Sequence, residues 1–133
     1  MIGSAIDKTL EIMQLSNRGL ARLINVDVHT ITDNREKKWE ELTPNTHKKL
    51  GAICILITAE YNLYRASVIL EILNQHIFKD VDGKKYSVLT AIGSEKFDLE
   101  AVVSIGKMAQ EFYKKKQLKL APSVPTLPNA ISA

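Results

Sequence analysis

Apolar residues recur at helical spacing along most of the chain, and strand-like signals are confined to one short region. Ile6, Leu10 and Met13 share one face behind Ser4 and Asp7, which predicts a capped helix over Ser4–Met13. A second stripe, Leu20, Leu23 and Ile24, follows Ser16, a residue type that caps helices through its hydroxyl. Asn25 then sits where that helix must stop, and Asn tolerates the left-handed backbone such a stop uses. Val26 follows as an apolar plug, Asp27 as the next cap and Ile31 as an inward anchor. Small Ala21 leaves room for a close neighbour. The stretch Leu15–Asn34 therefore predicts two short helices joined by a tight turn.

Beyond it, Trp39 is expected to pack with Leu42 over the N-terminal helices, or to stay exposed and stack on a base or partner. Thr43-Pro44 is a strong helix start. The helix is expected to reach about Tyr64, with Leu50, Ile53, Cys54, Ile57 and Tyr61 on one stripe and Ile55 and Leu56 on a second. A helix apolar on so many sides is buried on more than one, as a spine or a subunit interface. Gly51 permits close helix contact. Tyr64–Phe78 reads as another helix, or as a continuation after a bend near Asn62, striped by Ala66, Ile69, Leu70, Leu73 and Ile77. Around the turn signal Asp82-Gly83, Lys79–Val81 and Tyr86–Ala91 can pair as a short hairpin or form an irregular loop. Asp98 is expected to cap a last helix to about Gln117, and the segment from Ala121, with Pro122, Pro125 and Pro128, to be an extended or disordered tail that could serve as a docking peptide.

The expected fold is mainly α: an N-terminal helix-turn-helix bundle, then a helical C-terminal half with a short β-hairpin. In domain terms, residues 1–64 form the helix-turn-helix module with its spine helix. Residues 65–120 form a dimerisation or partner-binding region, and residues 121–133 a proline-containing tail.

The motif stretch resembles the Cro and lambda-repressor type of helix-turn-helix, the Xre family. The resemblance rests on Leu15, Ser16, Leu20, Ala21, Ile24, Val26, Thr30 and Ile31 and covers the N-terminal half. Asn17 stands where the family commonly has Gln, Asn25 where it has Gly, and Asp27 where it has Ser, each keeping the local physical role. The resemblance implies a repressor-like transcriptional regulator that binds double-stranded DNA as a homodimer, with the second motif helix in the major groove. Val28, His29, Thr30 and Thr32 would then face base edges, Asn17 would clamp a phosphate, and Arg18, Arg35, Lys37 and Lys38 would add backbone contacts. Asp33 opposes DNA on the same helix. Either flanking phosphate contacts and dimerisation carry the binding, or the motif serves protein contacts. The alternative function is accordingly a protein-interaction module, such as an antitoxin or scaffold, that grips a partner through its C-terminal half.

Composition changes this picture little. The chain has 133 residues, 45% hydrophobic and 25% charged, with a formal net charge of +3, enough for one compact domain. One cysteine, Cys54, excludes an internal disulfide and reads as a small buried hydrophobe. The run Gly51–Ala59 is too short to span a bilayer, which takes about 20 residues. With no basic patch leading into a long apolar stretch at the start, a cytoplasmic protein without membrane contact is the simplest reading. His29, His47 and His76 are far apart, and no zinc spacing, phosphate-cradling loop or nucleophile elbow occurs. Neither enzyme nor cofactor is expected. Asp7 and Glu11 at i,i+4 read as a solvated face. Lys107 and Lys114–Lys116 sit toward a helix C-terminus, where the helix dipole favours cations and where a polyanion could also bind.

Overall fold

A computed structural model describes residues 1–120; the expected proline-containing tail, residues 121–133, lies outside the described residues. Among these, seven α-helices and one two-stranded sheet make a mainly helical fold. One buried cluster runs from Ile2 to Ala109, so both halves share a continuous core.

Helix α1 spans Gly3–Met13 and buries Ile6, Thr9 and Met13. It starts before Ser4, which lies inside the helix as an exposed residue rather than as its cap. The amides at its start are satisfied instead by the chain that follows the motif: Ile2 N–H donates to the Lys37 carbonyl and Gly3 N–H to the Arg35 carbonyl, both at 2.9 Å. Long-range backbone partners have thus replaced the local cap. Gln14 ends the helix at φ 55°, and Leu15 N–H reaches back to Leu10 at 3.0 Å.

Helix α4 (Pro44–Ile55) is capped by Thr43. It continues as a π-helical turn, Leu56–Glu60, closed by Tyr61 N–H on the Leu56 carbonyl at 2.8 Å. The helical run therefore ends near Glu60, short of the expected Tyr64. Tyr61 is fully buried, and its hydroxyl donates to the Gly106 carbonyl at 2.5 Å. Gln110 donates to the Glu60 carbonyl at 3.0 Å, so the final helix supplies partners for the π turn. Burial also pushes the Cys54 thiol up to about 11, as befits an inert core residue.

Helix α5 (Ala66–Asn74) is shorter than expected, because Gln75 is already extended. The hairpin exists but is smaller than expected. Strands β1 (Phe78–Lys79) and β2 (Lys85–Tyr86) pair antiparallel, Phe78 opposite Tyr86. Val88–Ala91, expected to continue the second strand, instead begins helix α6 (Val88–Gly93), where the Ser87 hydroxyl accepts from Thr90 N–H and the Thr90 hydroxyl accepts from Ser87 N–H. This reciprocal cap outweighs the β-branched sequence. Helix α7 (Leu99–Leu120) is capped by Asp98, as expected, and runs three residues past Gln117.

The hairpin is tied to the body by edge-on aromatic contacts of Phe97 with Phe78 and Tyr86, and by ion pairs from Lys96 to Asp80 (3.0 Å) and Asp82 (3.6 Å). The Lys96 ammonium holds the Asp80 carboxyl below the usual carboxylate range, and Asp80 in turn raises Lys96. The contribution of Asp80 is therefore complete above its unfolded value near ~3.9 and is lost as pH falls through the lower folded value. That of Lys96 is complete below about 10.4 and is lost as pH rises through the higher folded value. Hairpin chemical shifts of Phe78 and Tyr86 should accordingly show an acid step below the ordinary carboxylate range. Asp80→Asn should abolish that step, and a step unchanged in the variant would dismiss the pair as its source.

Candidate nucleic-acid interface

Helix α2 (Asn17–Ile24) follows Ser16, whose hydroxyl accepts from Gly19 N–H at 3.0 Å. Leu20, Ala21 and Ile24 are its buried face. Asn25 ends it at φ 57°, and Val26 N–H closes back on the Ala21 carbonyl at 2.9 Å. Such a 6→1 bond fixes the chain direction after a helix. Lys49 of α4 donates to the Asn25 carbonyl at 3.1 Å and holds the turn from outside. Asp27 then caps helix α3 (Val28–Thr32), accepting from His29 N–H at 2.8 Å. Ile31 is fully buried and is the inward anchor of α3, as expected.

Helix α3 stops at Thr32 rather than Asn34. Asp33 ends it, and the Asn34 carboxamide folds back onto the Thr30 carbonyl at 2.6 Å. Helix α3 packs mainly on α2, leaving its far side open. His29 and Thr32 are exposed there, Thr30 is half-buried, and Val28 packs against the core. Asp33 is exposed beside them, and the Thr32 hydroxyl donates to its carboxylate at 3.3 Å.

The flanking residues divide. Arg18, Lys37 and Lys38 are exposed. Arg35 pairs with Asp7 of α1, so its charge is partly committed within the fold. Asn17 is half-buried, and its side-chain oxygen is enclosed without a hydrogen-bond partner among the described residues. Sequence reasoning missed Lys49 and the Asp7–Arg35 pair, since both join residues far apart in the chain. It also passed over Arg22, exposed on α2.

Charge is distributed unevenly. Across residues 15–42, Arg18, Arg22, Arg35, Lys37 and Lys38 are matched by Asp27, Asp33, Glu36, Glu40 and Glu41. Over residues 1–98 as a whole, thirteen basic side chains balance thirteen acidic ones. The net +3 resides in α7, where Lys107, Lys114, Lys115, Lys116 and Lys119 face only Glu100 and Glu111. Every side chain from Lys114 to Lys119 is exposed.

No cluster of His, Cys, Asp or Glu among the described residues could hold a metal ion. No helix among them is long and apolar enough to cross a membrane. Comparison of the chain with protein-family models, with curated proteins and with solved structures finds no match.

Proposed function

We propose that the chain is a repressor-like transcriptional regulator that binds double-stranded DNA as a homodimer, α3 entering the major groove. The observation that carries this reading is the set of α2, the Asn25 turn and α3: a short capped helix anchored by one buried side chain, with its open side presenting His29 and Thr32. A helix presented in this way can reach base edges. Arg18, Lys37 and Lys38 flank it as phosphate contacts, Lys37 and Lys38 being the exposed pair after α3. A single module of this kind buries only roughly 600–1,000 Å² on DNA, which is why two copies are invoked.

Duplex affinity should fall steeply with salt, because each neutralised phosphate releases counterions. Lys37→Ala combined with Lys38→Ala should flatten the slope of log K against log salt by about 2. His29→Ala should leave the slope alone and change sequence preference. Absence of duplex binding at low salt would remove this reading.

A second reading has its own observation. Helix α7 carries the net charge, and Met108 and Phe112 are exposed on it. That suits an antitoxin or scaffold role in which the C-terminal half grips an acidic protein. Because the core is shared, deletion of the N-terminal segment would remove Ile2, Ile6 and Leu20 from it. Surface changes are the sounder discriminator: Met108→Asp with Phe112→Asp should abolish such a complex and spare DNA affinity.

A further inference from the structure

Between α1, the 3-10 turn Trp39–Glu41, α4 and the start of α7 lies a cavity of about 390 Å³. Its volume is within the range of small-molecule sites, roughly 300–1,000 Å³. The wall is aromatic: Trp39 stacks on His47, ring centroids 5.7 Å apart and planes 29° from parallel. The floor is the backbone at Gly51. A Cβ there would stand 2.7 Å from Leu99 Cδ1 and 3.3 Å from His47 Cδ2, so the missing side chain is what lets wall and floor meet. Ile55, 39% exposed, stands at the rim. A second hollow of about 540 Å³ shares His47 and Leu99 with the first.

The polar groups narrow the ligand. Thr58 lines the cavity, and its Oγ1 gives its proton to the Cys54 carbonyl at 2.7 Å, which leaves its lone pairs to accept. The charged groups nearby belong to the neighbouring hollow, where the Lys48 ammonium donates to the Ser94 carbonyl and the Asp98 carboxylate caps α7 on Ala101 N–H at 2.8 Å. The lining of the cavity itself has no Lys, Arg, Asp or Glu, so a charged ligand finds no carboxylate, ammonium or guanidinium in it, whereas a flat apolar ring finds a flat aromatic wall. We propose that this cavity binds a neutral aromatic alcohol of up to two fused rings, its ring against Trp39 and its hydroxyl donating to Thr58. The site stands apart from α3 and does not depend on DNA binding.

The full chain should be titrated with 2-naphthol and followed by amide and indole N–H resonances. Saturable shifts are expected at the Trp39 indole and at the Gly51 and Thr58 amides, with a dissociation constant below about 1 mM. Trp39→Ala, which removes the wall, and Ala5→Leu, which fills the space from α1, should each weaken binding at least about tenfold. Thr58→Val should weaken it less, through loss of the acceptor. The proposal is overturned by shifts that do not saturate, or by shifts centred on Met108 and Phe112. It is equally overturned by affinity unchanged in both Trp39→Ala and Ala5→Leu, or by a dimer in light scattering whose Trp39 fluorescence is shielded from acrylamide.

Discussion

Ile31→Ala is expected to detach α3 from the body, at a cost of about 2–5 kcal/mol. Ile31 is the single buried residue of a five-residue helix. So short a helix has no stability of its own in water, because nucleation fixes several residues for one hydrogen bond. What keeps it helical is the Asp27 cap and the seating of Ile31 on α2, with Val28 adding partial contact. Removing the anchor leaves a cavity under α3. The loss should be local as well as global. The Asp33 amide, bonded to the His29 carbonyl at 2.9 Å, should exchange with solvent much faster, while the Tyr61 amide in the π turn changes only with overall stability. Duplex affinity, on the DNA reading, should fall together with Asp33 protection. Protection of Asp33 that survives the substitution would show that α3 has another anchor.

Gly106→Ala is the second large effect, and it works by overpacking. A Cβ at Gly106 would stand 2.6 Å from Leu56 Cδ1 and 3.1 Å from Leu56 Cγ, with Leu56 fully buried. The leucine cannot swing outward, so α7 must retreat from α4, stretching the Tyr61–Gly106 hydrogen bond as well. Overpacking of this kind costs about 1–3 kcal/mol, against the small gain that Ala for Gly brings inside a helix. The mechanism has a signature. Leu56→Ala alone should destabilise by leaving a cavity, yet combined with Gly106→Ala it should recover stability, giving a coupling of about 0.5–3 kcal/mol in a double-mutant cycle. Denaturant unfolding of the four proteins measures it, and strictly additive effects would show that the clash is not what Gly106 avoids.

Local features were legible in the sequence because they are set by neighbours. Ser16, Asn25, Asp27, Thr43 and Asp98 act through hydrogen bonds or backbone angles within a few residues, and each takes its expected place. Features that depend on distant partners were not legible. Ser4 reads as a cap, but the chain at Arg35 and Lys37 supplies the carbonyls that make a cap unnecessary. The π turn leaves the apolar stripe of α4 almost unchanged, so the extra residue it absorbs is invisible until Tyr61 is seen on Gly106. Helix α6 is hidden by β-branched residues, and its one clue was the Ser87…Thr90 spacing of a reciprocal cap. For the candidate interface, residue types and order were readable, whereas the commitment of Arg35 to Asp7 and the enclosure of Asn17 were not.

The segregation of charge onto α7 makes the molecule a dipole: a neutral body with one positive arm. A long-range field acts on such a dipole before any contact forms, turning the arm toward a negative surface. The first encounter with a polyanion would therefore be made by Lys114–Lys119, whichever face finally docks. Ionic strength would then act on two separable quantities. The association rate would answer to the α7 lysines, and the lifetime of the docked complex to the residues that hold it.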